Sequence, residues 1–489
     1  MEAIPESQTS IFQRTLTSIF GRSAHPVRAA LLVATPLAGG LWIRLAMLRE
    51  IFSLQGDPLI YGGLAKNLLL NGHYSLTTAN GITYPTLIRL PGYPLFMALC
   101  FRVFGMENYV SVCWIQIALD LAACLLLADF ARRIAPSRLS AGAALATLWL
   151  ASLCPFTASY TASPMAETPT LFAISLALWA LARFHARPGW PSALWFTFAV
   201  TFAALLRPDG ALVGVALAPA LVIGLSPAAI SRRKLARIAL VCILLALTPF
   251  AVWTARNWNV FHVFEPLAPR LANDPDEDPN PGWERWVKTW CLDFASTYQI
   301  YWNVPGDVLD SSALPSRAYD SPAQRDETTA LIADYNKEFS LTPELDERFA
   351  RLANERVASH PLRFYLWLPL GRLADMIFRP RVENLNIDID WWVYAHHKDE
   401  TRFSWAYAAL NVFYLIMGIT GLCLRPRFWP WMLAYLFLRS ALLLTVEAPE
   451  TRYTLEYFPI LCAAGGISFY WLLTWVLESV AKLNAPAGR

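Results

Sequence analysis

Charge is scarce in this chain: only 16% of its 489 residues are Asp, Glu, Lys or Arg, whereas 56% are hydrophobic. The formal net charge of +3 is too small to suggest a nucleic-acid partner. Eight cysteines lie nearly all inside apolar stretches, with Cys291 alone in a long polar segment, and they form no Cys-x-x-Cys pair. They indicate neither a zinc site nor a disulfide framework. No Gly-rich loop of the P-loop or dinucleotide type follows a strand, so a soluble nucleotide donor has no obvious seat. Internal repeats and low-complexity segments are also lacking.

What is there in abundance is apolar sequence in blocks of about 17–22 residues, the length of helix that crosses a bilayer core. The expected fold is an all-α polytopic membrane protein with spans near 29–48, 109–130, 139–156, 165–182, 190–206, 210–225, 235–254, 403–424, 428–446 and 455–477. Twenty Trp and 18 Tyr suit the aromatic belts of membrane interfaces and packing between helices. Arginines cluster in every second connection: Arg132, Arg133 and Arg138; Arg183 and Arg187; Arg232, Arg233, Lys234 and Arg237; Arg425 and Arg427. By the positive-inside rule these connections are cytoplasmic. The N-terminal segment 1–28, with Arg14, Arg22 and Arg28, is then cytoplasmic too and precedes a retained helix, not a cleaved signal.

Five regions follow from this count. After 1–28 comes a transmembrane module, 29–257, whose external loop is 49–108. A polar insert, 258–360, is too long for a bare connector and suggests a small external helical domain, with Ser321-Pro322 and Thr342-Pro343 opening helices. The segment 361–402 begins with an apolar stretch, 361–379, that carries Arg372 and Asp375. It is assigned as interfacial or re-entrant, because an eleventh crossing would place Arg425 and Arg427 outside. The C-terminal helices occupy 403–489.

This topology gathers Asp57, Arg89, Glu167, Arg207, Asp209, Arg256, Glu450 and Arg452 on the external side. Ionisable groups at a bilayer usually face a cavity or a partner. Asp57 could act as a general base toward an acceptor hydroxyl, or simply cap the helix that follows, since Asp57-Pro58 is a good N-terminal pair. Arg89, Arg207, Arg256 and Arg452 could bind phosphate oxygens, or snorkel as interfacial anchors. Glu167 has the plainer role of a carboxylate stabilised at a helix N-terminus. Asp120 and Arg439 fall near mid-membrane and are expected to be structural polar contacts. The acidic tract from Asp274 to Asn280 lacks the glycine and the bidentate glutamate of a calcium loop. Asp388, Asp390, His396 and His397 match no defined metal spacing, and a solvated loop is expected there.

Several stretches resemble the GT-C superfamily of polyprenyl-phosphate-sugar-dependent glycosyltransferases, and especially its protein-mannosyltransferase-like, aminoarabinose-transferase-like and dodecaprenyl-phosphate galacturonosyltransferase-like members. They are Asp57-x-x-x-Tyr61 with Ala65, Leu69, Gly72 and Tyr74; Arg89-x-Pro91-Gly92-Tyr93 through Phe96; Leu206-Arg207-Pro208; Trp253-x-x-Arg256-Asn257 with Phe261; and Glu450-x-Arg452-Tyr453 with Pro459. The resemblance implies a catalytic Asp57, a second acidic position at Glu167, and phosphate contacts at Arg89 and Arg207. Arg256 and Arg452 are further phosphate candidates, and Tyr61, Tyr93, Asp209, Glu450 and Tyr453 are further site candidates. It also implies a module of about seven helices followed by a variable C-terminal part.

The expected function is transfer of a sugar from a polyprenyl-phosphate donor to a lipid, glycan or protein acceptor, with inversion, at the periplasmic face of the cytoplasmic membrane. Membrane lipids are the other partner; the sequence indicates no particular cofactor, and a divalent metal is compatible with it. A transporter or lipid flippase is the rival, and would call for broken helices, an internal repeat and charges near mid-membrane. A catalytically silent envelope scaffold is a third reading, and it would tolerate loss of Asp57.

Overall fold

The computed structural model describes residues 26–225, 229–269, 273–275 and 279–483. Arg14 and Arg22, and Asp276, Glu277 and Asp278 of the acidic tract, lie outside the described residues. The chain is a helical, polytopic membrane protein, and it folds as two compact units. The first takes its residues from Met1–Leu267, Phe413–Tyr435 and Glu456–Arg489, the second from Ala268–Val412 and Leu436–Leu455.

In the first unit, α1 (Pro26–Ile51) and α2 (Asp57–Asn71) lead to a hairpin of β1 (Ser75–Thr77) and β2 (Thr83–Pro85). There follow α3 (Gly92–Phe104), α4 (Tyr109–Ile134), α5 (Ser140–Ser152), α6 (Pro155–Tyr160), α7 (Glu167–Ala186), α8 (Trp190–Leu206), α9 (Ala211–Leu217) and α10 (Arg232–Phe261). Among the described residues, six helices are long and apolar enough to cross a membrane: Ala30–Ile51, Tyr109–Ile134, Glu167–Ala186, Arg232–Phe261, Lys398–Cys423 and Thr451–Val480. The other four expected spans contain shorter helices. The one expected over 139–156 is interrupted at Leu153–Cys154, because Pro155 has no N–H to continue the ladder and instead opens α6. The one expected over 210–225 shrinks to α9 between Pro208 and Pro219 for the same reason.

The loop 49–108 holds more structure than its sequence suggested. Its hairpin pairs Ser75 with Pro85, Leu76 with Tyr84 and Thr77 with Thr83. Asn67 on α2 donates to the Ser75 carbonyl at 2.9 Å, tying the hairpin to that helix. The first turn of α3 then lies directly on the end of α8. A Cβ on Gly92 would sit 2.5 Å from the Leu205 carbonyl oxygen, so only glycine permits this approach.

Asp120, in α4, has a buried partner in Arg44 of α1. Arg44 Nε donates to the Asp120 carboxylate at 2.8 Å, while its Nη1 donates to the Gly40 and Ser152 carbonyls, each at 2.7 Å. Every charge in this pair is therefore met by a fixed partner, the condition under which a buried ion pair is tolerated. The pair joins α1, α4 and α5.

The second unit contains α11 (Pro281–Lys288), α12 (Phe294–Gln299), α13 (Pro322–Glu338), α14 (Pro343–Ser359) and α15 (Leu368–Phe378). It also takes parts of α16 (Lys398–Cys423) and α17 (Trp429–Leu443), whereas α18 (Phe458–Leu483) belongs to the first unit. Trp283, Trp286, Trp290, Tyr335 and Phe349 centre its core. Ser321 and Thr342 cap α13 and α14 as their sequences suggest, by accepting from the Gln324 and Leu345 backbone N–H groups. Gln324 reaches back to the Asp320 N–H, one residue before the cap. Over Arg363–Trp367 the segment forms a π-helical turn that runs into α15, and Leu362, Tyr365 and Trp367 are exposed on it. Arg372 is buried and donates to the Lys288 and Cys291 carbonyls at 3.1 Å each.

Candidate active site

Asp57 is the first residue of α2, preceded by Gly56 at φ 64°, which serves as the N-cap. The N-cap position considered for Asp57 is thus held by Gly56, and the Asp57 carboxylate, in the first turn, accepts from Arg89 Nη2 at 2.9 Å. Arg89 arrives from the loop between β2 and α3, and its Nη1 also donates to the Ile88 carbonyl. The pair is about one-quarter exposed.

A second pair stands at the junction of α7 and α8. Glu167 opens α7 and is nearly buried, while Arg207 follows α8 in extended conformation. Arg207 Nη1 donates to Glu167 at 3.0 Å, and Nε donates to Asp209 at 3.3 Å and lies 3.7 Å from Glu456. Gly210 makes this turn close enough, because a Cβ there would lie 2.0 Å from the Ala203 carbonyl oxygen. Glu456 in turn accepts from the Tyr435 hydroxyl at 2.8 Å. Sequence reasoning missed Glu456, although it stands between two motif positions, Tyr453 and Pro459. The signal was a carboxylate flanked by Leu455, Tyr457 and Phe458.

Tyr61 lies within electrostatic range of both pairs. Burial first, and then the Asp57 carboxylate, push its phenol up to about 12, and Arg89, Glu167 and Arg207 are also felt there. Its ring meets that of Tyr93 edge-on at 4.9 Å. Tyr93 is fully buried and donates to Gln116 at 2.7 Å, and Gln116 donates to the Ser163 carbonyl at 2.8 Å. Tyr93 therefore faces packing and the loop before Glu167. Gln116 was not singled out in the sequence, where it is one polar residue in an apolar span.

Arg256 occupies a different setting. Its Nη1 donates to the Thr86 carbonyl at 2.8 Å and its Nη2 to the Tyr74 carbonyl at 2.7 Å, so it grips both ends of the hairpin. The rings of Tyr74, Trp253 and Phe261 surround its guanidinium at 5.2–5.5 Å. Beside it opens a cavity of about 720 Å³ whose lining is mostly apolar, including Leu68, Leu95, Leu205, Pro249 and Trp253. Tyr74 links this cavity to the charged pairs by donating to the Arg89 carbonyl at 2.9 Å.

Glu450, Arg452 and Tyr453 belong to the second unit. Arg452 Nε lies 2.5 Å from Glu450, and the Tyr453 hydroxyl donates to the same carboxylate at 2.6 Å. The Tyr453 carbonyl accepts from buried Arg439, the partner expected of that intramembrane arginine. These residues form a tight cluster of their own.

Residues 85–253 match the family model described as dolichyl-phosphate-mannose-protein mannosyltransferase. The match contains Arg89, Tyr93, Glu167, Arg207 and Asp209; Asp57 precedes it and Arg256 follows it. No curated protein matches the chain by sequence. Among solved structures, an oligosaccharyltransferase of Archaeoglobus fulgidus tethered to an acceptor peptide is 11% identical, with a TM-score of 0.47, covering 94% of this chain and 52% of its own. The chain thus spans about half the length of that protein. ArnT from Cupriavidus metallidurans, bound to undecaprenyl phosphate, is 16% identical with a TM-score of 0.38, covering 95% of this chain and 82% of its own.

Proposed function

On the premise that residues 85–253 form the membrane module of a GT-C-type glycosyltransferase, we propose that the whole chain moves a sugar from a polyprenyl-phosphate donor to an acceptor hydroxyl or amine. The observation that carries this reading is the presence in one unit of two carboxylate–guanidinium pairs, Asp57 with Arg89 and Glu167 with Arg207, the first tied through the Tyr74 hydroxyl to the wall of a largely apolar cavity. A prenyl chain suits the cavity, and a phosphate suits the guanidiniums. In the proposed step the acceptor atom attacks the anomeric carbon as the bond from that carbon to the phosphate oxygen breaks. Asp57 takes the acceptor proton, polyprenyl phosphate leaves as an anion, and attack from the opposite face inverts the centre.

Asp57 and Arg89 are bonded to each other at rest, which adds an ordering to this step. A donor phosphate arriving at Arg89 competes for its N–H groups and leaves the carboxylate to the acceptor. Arg89→Gln protein is accordingly expected to bind polyprenyl phosphate about 10- to 150-fold more weakly, the range for losing one charge-assisted contact. Arg89→Lys, which keeps charge but not the planar fork, should fall between it and the parent. Equal affinity of folded Arg89→Gln protein and the parent would assign Arg89 to anchoring only. Mass spectrometry of envelope glycolipids and glycoproteins, with and without the protein, tests the reaction itself and identifies the sugar.

The arginine-rich connections support N-in, C-in topology with the active face in the periplasm. A cysteine introduced beside Glu450 is expected to react with an impermeant reagent in intact cells, whereas one beside Arg427 is not. The reverse pattern would overturn the sidedness.

A further inference from the structure

In the second unit, the loop ahead of α16 folds five potential metal ligands into one place. Asp390, His396 and His397 present ligand atoms that all lie within 4.8 Å of one another. We propose that these three side chains bind a first-row divalent cation of the zinc type, with Asp388 and Glu400 as its supporting carboxylates.

The geometry around His397 carries the assignment. Its Nε2 lies 3.2 Å from Asp390 Oδ1, whereas its Nδ1 lies 3.1 Å from Asp388 and 3.8 Å from Glu400. A tetrahedral ion with ligand bonds of about 2.0–2.1 Å separates neighbouring ligands by about 3.3 Å, so the Nε2–Asp390 spacing fits one edge. The opposite nitrogen facing a carboxylate is the arrangement that fixes the tautomer and orientation of a metal-bound imidazole. A simple ion pair would use one carboxylate and would leave His396 without a part. Among the described residues, His397 is the one basic group within ion-pair distance of Asp388, Asp390 or Glu400. Three carboxylates around one imidazole favour an added cation.

The loop is also held in shape before any ion binds. Buried Thr401 donates to the Trp391 and His397 carbonyls, and the Asp388 N–H donates to Glu400 at 2.9 Å. Val393 N–H returns to the Asp390 carbonyl at 2.8 Å, and the His396 and His397 N–H groups return to Val393. Two imidazoles with one carboxylate select zinc-like ions over magnesium or calcium, which prefer all-oxygen sets. Three protein ligands leave a fourth position for water or an oxygen of a bound molecule.

The test uses tag-free full-length protein in nanodiscs, stripped with chelator and titrated with Zn²⁺ against a chromophoric competitor. One equivalent is expected to bind, and Co²⁺ in its place should give the visible absorption of a tetrahedral N,O site. His397→Ala and Asp390→Asn should lose that equivalent, and Asp388→Asn should weaken it about 10- to 100-fold. His396→Gln alters an exposed side chain and so separates ligand loss from misfolding; it too should lose the Co²⁺ spectrum. His360→Gln should change nothing. The proposal is overturned if stripped protein takes up no Zn²⁺, if the equivalent survives in folded His396→Gln and Asp390→Asn proteins, or if millimolar Ca²⁺ displaces it.

Discussion

Asp57→Asn protein is expected to fold and to bind polyprenyl phosphate, yet to lose transfer by about 10²–10⁴, the usual contribution of a general base. The substitution is informative because of where Asp57 sits. Gly56 holds the N-cap position, and the carboxylate faces Arg89. The amide oxygen of asparagine can still accept from Arg89, in the place of Asp57 Oδ1 at 2.9 Å. What disappears is basicity, together with the charge that Arg89 faces. Envelope products quantified by mass spectrometry in cells lacking the native protein, complemented with each variant, provide the readout. Normal product levels from well-expressed Asp57→Asn protein would remove Asp57 from proton transfer and favour a scaffold.

The second large effect is expected at Arg207. Arg207→Gln should reduce transfer by about 10²–10³, the loss typical of removing one preorganised group that stabilises developing negative charge. It should also lower stability, because Glu167 and Glu456, both about 5% exposed, and Asp209 would remain together without the guanidinium. Breaking a buried pair from one side costs about 3–5 kcal/mol. The two effects separate in the variant that combines Arg207→Gln with Glu167→Gln and Glu456→Gln, where the guanidinium and both nearly buried carboxylates are neutral. Thermal stability should largely return while transfer stays low. If transfer returned together with stability, Arg207 would be a structural residue with no part in the reaction.

How much of this was legible beforehand differs by element. The long helices were, since a run such as 235–254 must form backbone hydrogen bonds within itself wherever it meets lipid, and observed α10 brackets it. The caps at Ser321 and Thr342 were legible because capping is settled within four residues. Asp57, Arg89, Glu167 and Arg207 were legible as candidates through their motifs. Their pairing was not. Asp57 with Arg89 and Glu167 with Arg207 join positions 32 and 40 residues apart, and the contacts depend on Gly92 and Gly210 letting backbone segments approach.

The same limit explains the rest. Arg44 was not singled out in the sequence, and the fold sets it against Asp120, 76 residues away. Arg256 stood as a phosphate candidate or an anchor, and its bonds to the Thr86 and Tyr74 carbonyls depend on a hairpin 170 or more residues earlier. Composition and apolar run length by themselves determined a helical membrane protein, because each acts through local hydrogen bonding and transfer into lipid. Only the tertiary structure decided which carboxylate meets which guanidinium, because a side chain's partner is set by the packing of distant helices, and a short polar residue carries no record of that packing in its neighbours.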